Sequence, residues 1–113
     1  MTESIHTTYH SYENIHVKAW WVNDTLHRVD GPAMIMYFKD GRIYEELWYK
    51  NGNLHRVDGP ASILHNNPHL IETQSWYINK IYISDEIWIW LYDNNIFAPF
   101  SDEDVMAIIL RWG

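Results

Sequence analysis

Eight residues, Leu26-His27-Arg28-Val29-Asp30-Gly31-Pro32-Ala33, recur letter for letter as Leu54-His55-Arg56-Val57-Asp58-Gly59-Pro60-Ala61, 28 positions further on. The match extends backwards, with Trp20-Trp21-Val22-Asn23 over Trp48-Tyr49-Lys50-Asn51, and forwards to a third start, Trp76-Tyr77-Ile78-Asn79. The copies lie near 20–47 and 48–75, with a partial copy at 76–83 that breaks off where Tyr82-Ile83-Ser84 replaces Leu-His-Arg. Upstream, residues 5–19 read as half a copy, with Ile5, Tyr9 and Ile15 at the places of Ala33, Tyr37 and Ile43. A fixed period of this length means one supersecondary unit stacked on copies of itself, with atypical units at the ends.

Each copy reads as β. Asn51-Gly52 between two short β-prone stretches is a strong two-residue hairpin signal, because both residues tolerate positive φ. Asn23-Asp24 and Asn79-Lys80 occupy the same place in their copies. Asp40-Gly41 and Asn66-Asn67 turn the longer arms. Asp-Gly-Pro reads as a corner, since proline lacks a backbone donor and glycine permits a sharp bend. The expectation is a mainly β chain, an antiparallel hairpin-repeat meander over residues 1–83, with no helix in 33–64.

At residue 84 the pattern changes. Ser84-Asp85-Glu86 has a capping hydroxyl and then first-turn acids, a helix start. Residues 87–92 are apolar on every side and alternate in a way that also suits a strand, so they need covering on both sides. Ser101 and Asp104 have capping-box spacing. Val105, Ile108, Ile109 and Trp112 then recur as one helix face. Residues 84–113 are therefore expected to cap the sheet as one or two short helices of the same domain.

Composition narrows the function classes. The 113 residues suit one domain and include no Cys, which excludes disulfides, a thiol nucleophile and Cys-ligated zinc. The longest apolar runs, 87–92 and 105–110, are far shorter than the roughly 20 residues of a membrane span. The first residues carry no basic region followed by an apolar stretch, so a cytoplasmic protein is expected. The net charge is −7. Residues 1–83 carry nine acids against seven Lys and Arg, whereas 84–113 carry six acids against Arg111 alone. Direct nucleic-acid binding needs a basic footprint, so a protein partner with a basic surface, or a second copy of the chain, is the better expectation.

The motif Trp-(Trp/Tyr)-x-Asn-x-x-Leu-His-Arg-x-Asp-Gly-Pro-Ala resembles a tandem repeat of bacteriophage and giant-virus proteins, similar in style to MORN-type β-hairpin repeats. The resemblance covers about residues 13–92. Trp76-Tyr77-Ile78-Asn79-Lys80 followed by Ser84-Asp85-Glu86 also looks like the way such proteins end, although a Gly is missing. The resemblance implies a β-repeat fold and a viral origin, hence the host cytoplasm. It implies no activity and no catalytic residues, and residues after Tyr92 match nothing in it.

Three functions remain. The first is a non-catalytic binding module, an inhibitor of a host defence or regulatory protein. Its anchors would be the aromatics outside the repeat, Trp88, Trp90, Tyr92, Phe97, Phe100 and Trp112, rimmed by Asp102, Glu103 and Asp104. The second is an acidic decoy that blocks a nucleic-acid-binding surface. The third is a hydrolase or nuclease using His27 with Asp30 and His55 with Asp58, since imidazole and carboxylate suit both proton transfer and metal binding. The structural alternative is favoured for those pairs. A repeated residue serves the repeat, and Trp20, His27, Arg28, Asp30, Gly31, Pro32, Trp48, His55, Arg56, Asp58, Gly59, Pro60 and Trp76 are expected to build it. Asp would accept backbone N–H bonds in the corner, with Arg28 or Arg56, two residues earlier, on its strand face, and Trp48 would face His55 across the hairpin. No catalytic residue, cofactor or metal is assigned, although His65 and His69 bracket one turn.

Overall fold

The computed structural model describes residues 5–11, 15–65 and 72–113. Its strands are β1 (Ile5–Ser11), β2 (Ile15–Val22), β3 (Thr25–Leu26), β4 (Met34–Phe38), β5 (Ile43–Leu47), β6 (Tyr49–Lys50), β7 (Asn53–Leu54), β8 (Ser62–Leu64), β9 (Thr73–Ser75), β10 (Tyr77–Ile78) and β11 (Ile81–Tyr82). Two helices follow, α1 (Asp85–Asp93) and α2 (Asp102–Trp112). The fold is an antiparallel β meander with two short C-terminal helices. The long arms make one sheet in the order β1-β2-β4-β5-β8-β9, while β6-β7 and β10-β11 are separate two-stranded hairpins. The molecule is a slab, 48 × 45 × 19 Å.

The turns fall where the repeat puts them. Asn23-Asp24, Asn51-Gly52 and Asn79-Lys80 all have positive φ at both residues, as a two-residue hairpin matching the twist of its strands requires. Gly52 is needed for room: Asp24 and Lys80 also take positive φ at this place, but a Cβ on Gly52 would meet Thr25 Cγ2 at 2.9 Å. In the β4–β5 turn, Asp40 accepts the Arg42 N–H at 3.0 Å and Arg42 Nε at 2.8 Å. These bonds hold its carboxyl below the usual range. The turn at Asn66-Asn67 lies outside the described residues, as does His69.

The half copy at the N-terminus departs from the repeat. In β4–β5 Met34 pairs with Leu47, whereas in β1–β2 His6 pairs with Trp21 rather than with Ala19. A slide of two residues keeps each side chain on its own face. Ile5 accordingly pairs with Val22 and is exposed, while Ala33, whose place it was expected to take, is buried.

Side chains buried within the sheet are small: Ala19, Ala33 and Ala61. The core of large apolar side chains sits at the C-terminal end, where Ile78, Ile83, Ile87, Leu91, Phe100 and Ile108 pack together. Residues 87–92 are helical. Ser84 caps α1, its hydroxyl accepting the Ile87 N–H. Ser101 and Asp104 form the full capping box on α2. Only one side of α1 is covered. Ile87 and Leu91 are buried, but Ile89 and Tyr92 stay exposed, against the expectation of cover on both sides.

Candidate functional site: the repeat corners and the capping helices

The two complete corners are built alike. His27 N–H donates to Trp20 O at 3.1 Å and His55 N–H to Trp48 O at 3.0 Å, so each His does sit across its hairpin from the Trp. The imidazole, however, turns to the following unit. His27 Nδ1 accepts the Asn51 N–H at 2.9 Å and His55 Nδ1 accepts the Asn79 N–H at 2.8 Å. Arg28 N–H to Tyr49 O and Arg56 N–H to Tyr77 O continue the same step, as do Gly52 N–H to Leu26 O and Lys80 N–H to Leu54 O. The short hairpins are thus joined end to end, each outgoing strand to the next incoming one.

The arginine covers the tryptophan. Arg28 lies 4.0 Å over the Trp20 ring and Arg56 3.9 Å over Trp48, within cation–π range. Each also donates through one terminal nitrogen to the corner proline carbonyl, Pro32 O or Pro60 O, at 3.1 Å. Asp30 and Asp58 pair with the same arginines at 3.4 and 2.9 Å, which corrects the expected backbone role of the aspartates. Gly31 and Gly59 do not need positive φ. They need room, because a Cβ would lie 2.8 or 2.6 Å from the guanidinium carbon. Glycine here lets the arginine pass, which sequence reasoning missed; the signal was the fixed Arg-x-x-Gly spacing in both copies.

These geometries bear on chemistry. His27 is engaged by Asn51 and Asp30 by Arg28, and the second copy repeats this, so neither His-Arg-Val-Asp motif brings its own imidazole onto its own carboxylate. Burial, with Lys50 adding to it, pushes the His55 imidazole below its ordinary value. An imidazole–carboxylate contact occurs elsewhere: His65 Nε2 meets Glu46 Oε2 at 2.8 Å, and Nδ1 lies 3.4 Å from Glu72. Pairing of β5 with β8 places it, and nothing in the repeat marks it. Among the described residues no group of three or more His, Asp or Glu side chains is set to hold a metal ion.

The expected tail residues divide into two sets. Phe100 is only 4% exposed and sits 6.1 Å from Trp76, which in turn meets Trp88 edge-on at 5.2 Å. These aromatics close the sheet. Trp90 and Trp112 meet edge-on at 6.3 Å with Arg111 beside both. Asp104 is engaged in the capping box, while Asp102 and Glu103 are exposed. Tyr92 and Phe97 stay on the surface, edge to face at 5.9 Å and 72% and 58% exposed. With Ile89, Ile96 and Ala98 they line an apolar groove of about 390 Å³ whose rim includes Asp93. A second cleft, of about 550 Å³, runs between the two corners and α2.

Among the described residues no helix is long and apolar enough to cross a membrane. No protein-family model, no curated protein and no solved structure matches the chain. The viral resemblance therefore rests on the repeat residues themselves.

Proposed function

We propose that the protein is a non-catalytic binding module of phage type that acts by occupying another protein, a host defence or regulatory factor in the host cytoplasm. The observation that carries this reading is the groove on α1, where Ile89, Tyr92 and Phe97 stay exposed beside a well-packed core. Exposed apolar patches with a polar rim mark association sites. Asp85, Glu86, Asp93, Asp102 and Glu103 are exposed on this cap and share one sign, which favours a partner with a basic surface. A decoy for a nucleic-acid-binding surface would draw on the same acids without needing the groove.

The test is a pull-down from bacterial lysate with tagged wild type and with Tyr92→Ser/Phe97→Ser. Loss of the captured protein from the double variant, at unchanged thermal midpoint, supports the groove. Capture that survives the double variant but is lost on Asp93→Asn/Asp102→Asn/Glu103→Gln favours the decoy. If both variants capture as wild type does, the cap is only a cap.

A further inference from the structure

The two corners are identical in sequence and alike in internal geometry, yet among the described residues only one is covered. At the second corner, Phe100 donates its backbone N–H to Val57 O at 2.9 Å, and Val57 packs against the C-terminal core. The chain then enters the acid-led α2. At the first corner Val29 is 85% exposed, and among the described residues no backbone N–H reaches its carbonyl. The cleft of about 550 Å³ lies between this bare corner and α2, with Trp48 in its lining. The unit beside each corner differs, with Asn53 and His55 next to the first where Ile81 and Ile83 meet the core next to the second. Ile78, buried in the core next to the second corner, is replaced by exposed Lys50 next to the first.

We propose that the first corner is a second docking site, for a partner segment that does there what residues 99–105 do at the second. Such a segment lays an aromatic side chain on Val29 and gives its backbone N–H to Val29 O. It then starts a helix on acidic residues, which Lys50 attracts. The covered corner is the internal template for this chemistry: Val57 O accepts the N–H of an aromatic residue whose ring rests on Trp76 and Trp88, and Trp48 stands beside the first corner where Trp76 stands beside the second. The site lies apart from the α1 groove and takes a segment of opposite charge character, so it holds or fails independently of that groove's partner.

The probe is a fluorescein-labelled peptide of residues 96–113 of this chain, titrated into the full-length protein and read by anisotropy. The expected result is saturable one-to-one binding, at least tenfold weaker for the Phe100→Ala peptide. It should be abolished by Val29→Asp in the protein and weakened several-fold by Lys50→Glu. Both protein positions are exposed, so circular dichroism and the thermal midpoint should stay at wild-type values. A random peptide library selected on the wild type and counter-selected on Val29→Asp guards against a tail peptide that fails to form its helix. It should enrich an aromatic residue just ahead of Ser, Thr or Asp and further acids. Absence of Val29-dependent binders in both experiments overturns the proposal. So does peptide binding that survives Val29→Asp, which means displacement of the protein's own tail at Val57, or Val29-dependent self-association, which means the occupant is a second copy.

Discussion

The repeat sheet and the C-terminal cap hold together by different means. In the cap, large apolar side chains from β10, the residue after β11, and both helices meet in a closed cluster. In the sheet, among the described residues, only alanines are fully buried apolar side chains, and β4, β5 and β8 are half-exposed along most of their length. What replaces a core there is a set of directional contacts repeated from unit to unit: His to the next turn, Arg over its Trp, Arg to the corner carbonyl. A one-layer sheet cannot bury much area per residue, so each unit relies on polar links to its neighbour. The cap supplies the hydrophobic term that the sheet lacks.

The sharpest way to break this contrast is in the cap. Ile108→Ala and Leu91→Ala should each cost about 3 kcal/mol, the usual effect of truncating a fully buried aliphatic side chain. Urea unfolding should show it, and Met36→Ala in the half-exposed β4 should cost clearly less. Equal losses at the two places would mean that the sheet has a core of its own.

Next in size is the arginine. Arg56→Ala removes the contact over Trp48 and the bonds to Pro60 O and Asp58, and should cost about 2 kcal/mol. Arg56→Lys should recover less than half, since an ammonium cannot both stack and bridge in this geometry. Gly59→Ala should imitate Arg56→Ala, because its Cβ collides with the guanidinium.

The histidine link predicts a pH dependence. Burial, with Lys50 adding to it, lowers the His55 pKa below the ordinary imidazole value of about 6.5, and its Nδ1 accepts a hydrogen bond that only the unprotonated nitrogen can take. The unfolded chain therefore binds the proton more readily. Stability should be complete above about pH 6.5, fall as the pH drops toward the folded value, and fall no further from this source below it. Urea midpoints between pH 8 and 5 would measure this, and His55→Gln should flatten the slope. The smallest effect is expected in the groove, where Tyr92→Ser/Phe97→Ser should shift stability by about 0.5 kcal/mol or less while changing association.

Much of this was legible in the residues. Asn51-Gly52 announced positive φ because few other residues accept it, and the repeat carried that turn to the weaker pairs Asn23-Asp24 and Asn79-Lys80. Ser84 and Ser101 marked both helix starts, because a capping hydroxyl acts on its own near neighbours. The end of the third copy also makes sense in these terms. No further hairpin follows, so His gives way to Ile83, which is buried, and Arg to Ser84, which caps α1.

Local sequence thus determined the period, the turns and the caps, since each depends on contacts within a few residues. The tertiary structure decided everything that passes between units or between sheet and tail. His27 reaches Asn51 across 24 positions. Phe100 turned inward while Phe97 stayed out. The half copy slid by two residues. Among the described residues one of two corners of identical sequence is covered and the other bare, because Phe100 docks on the corner next to the core.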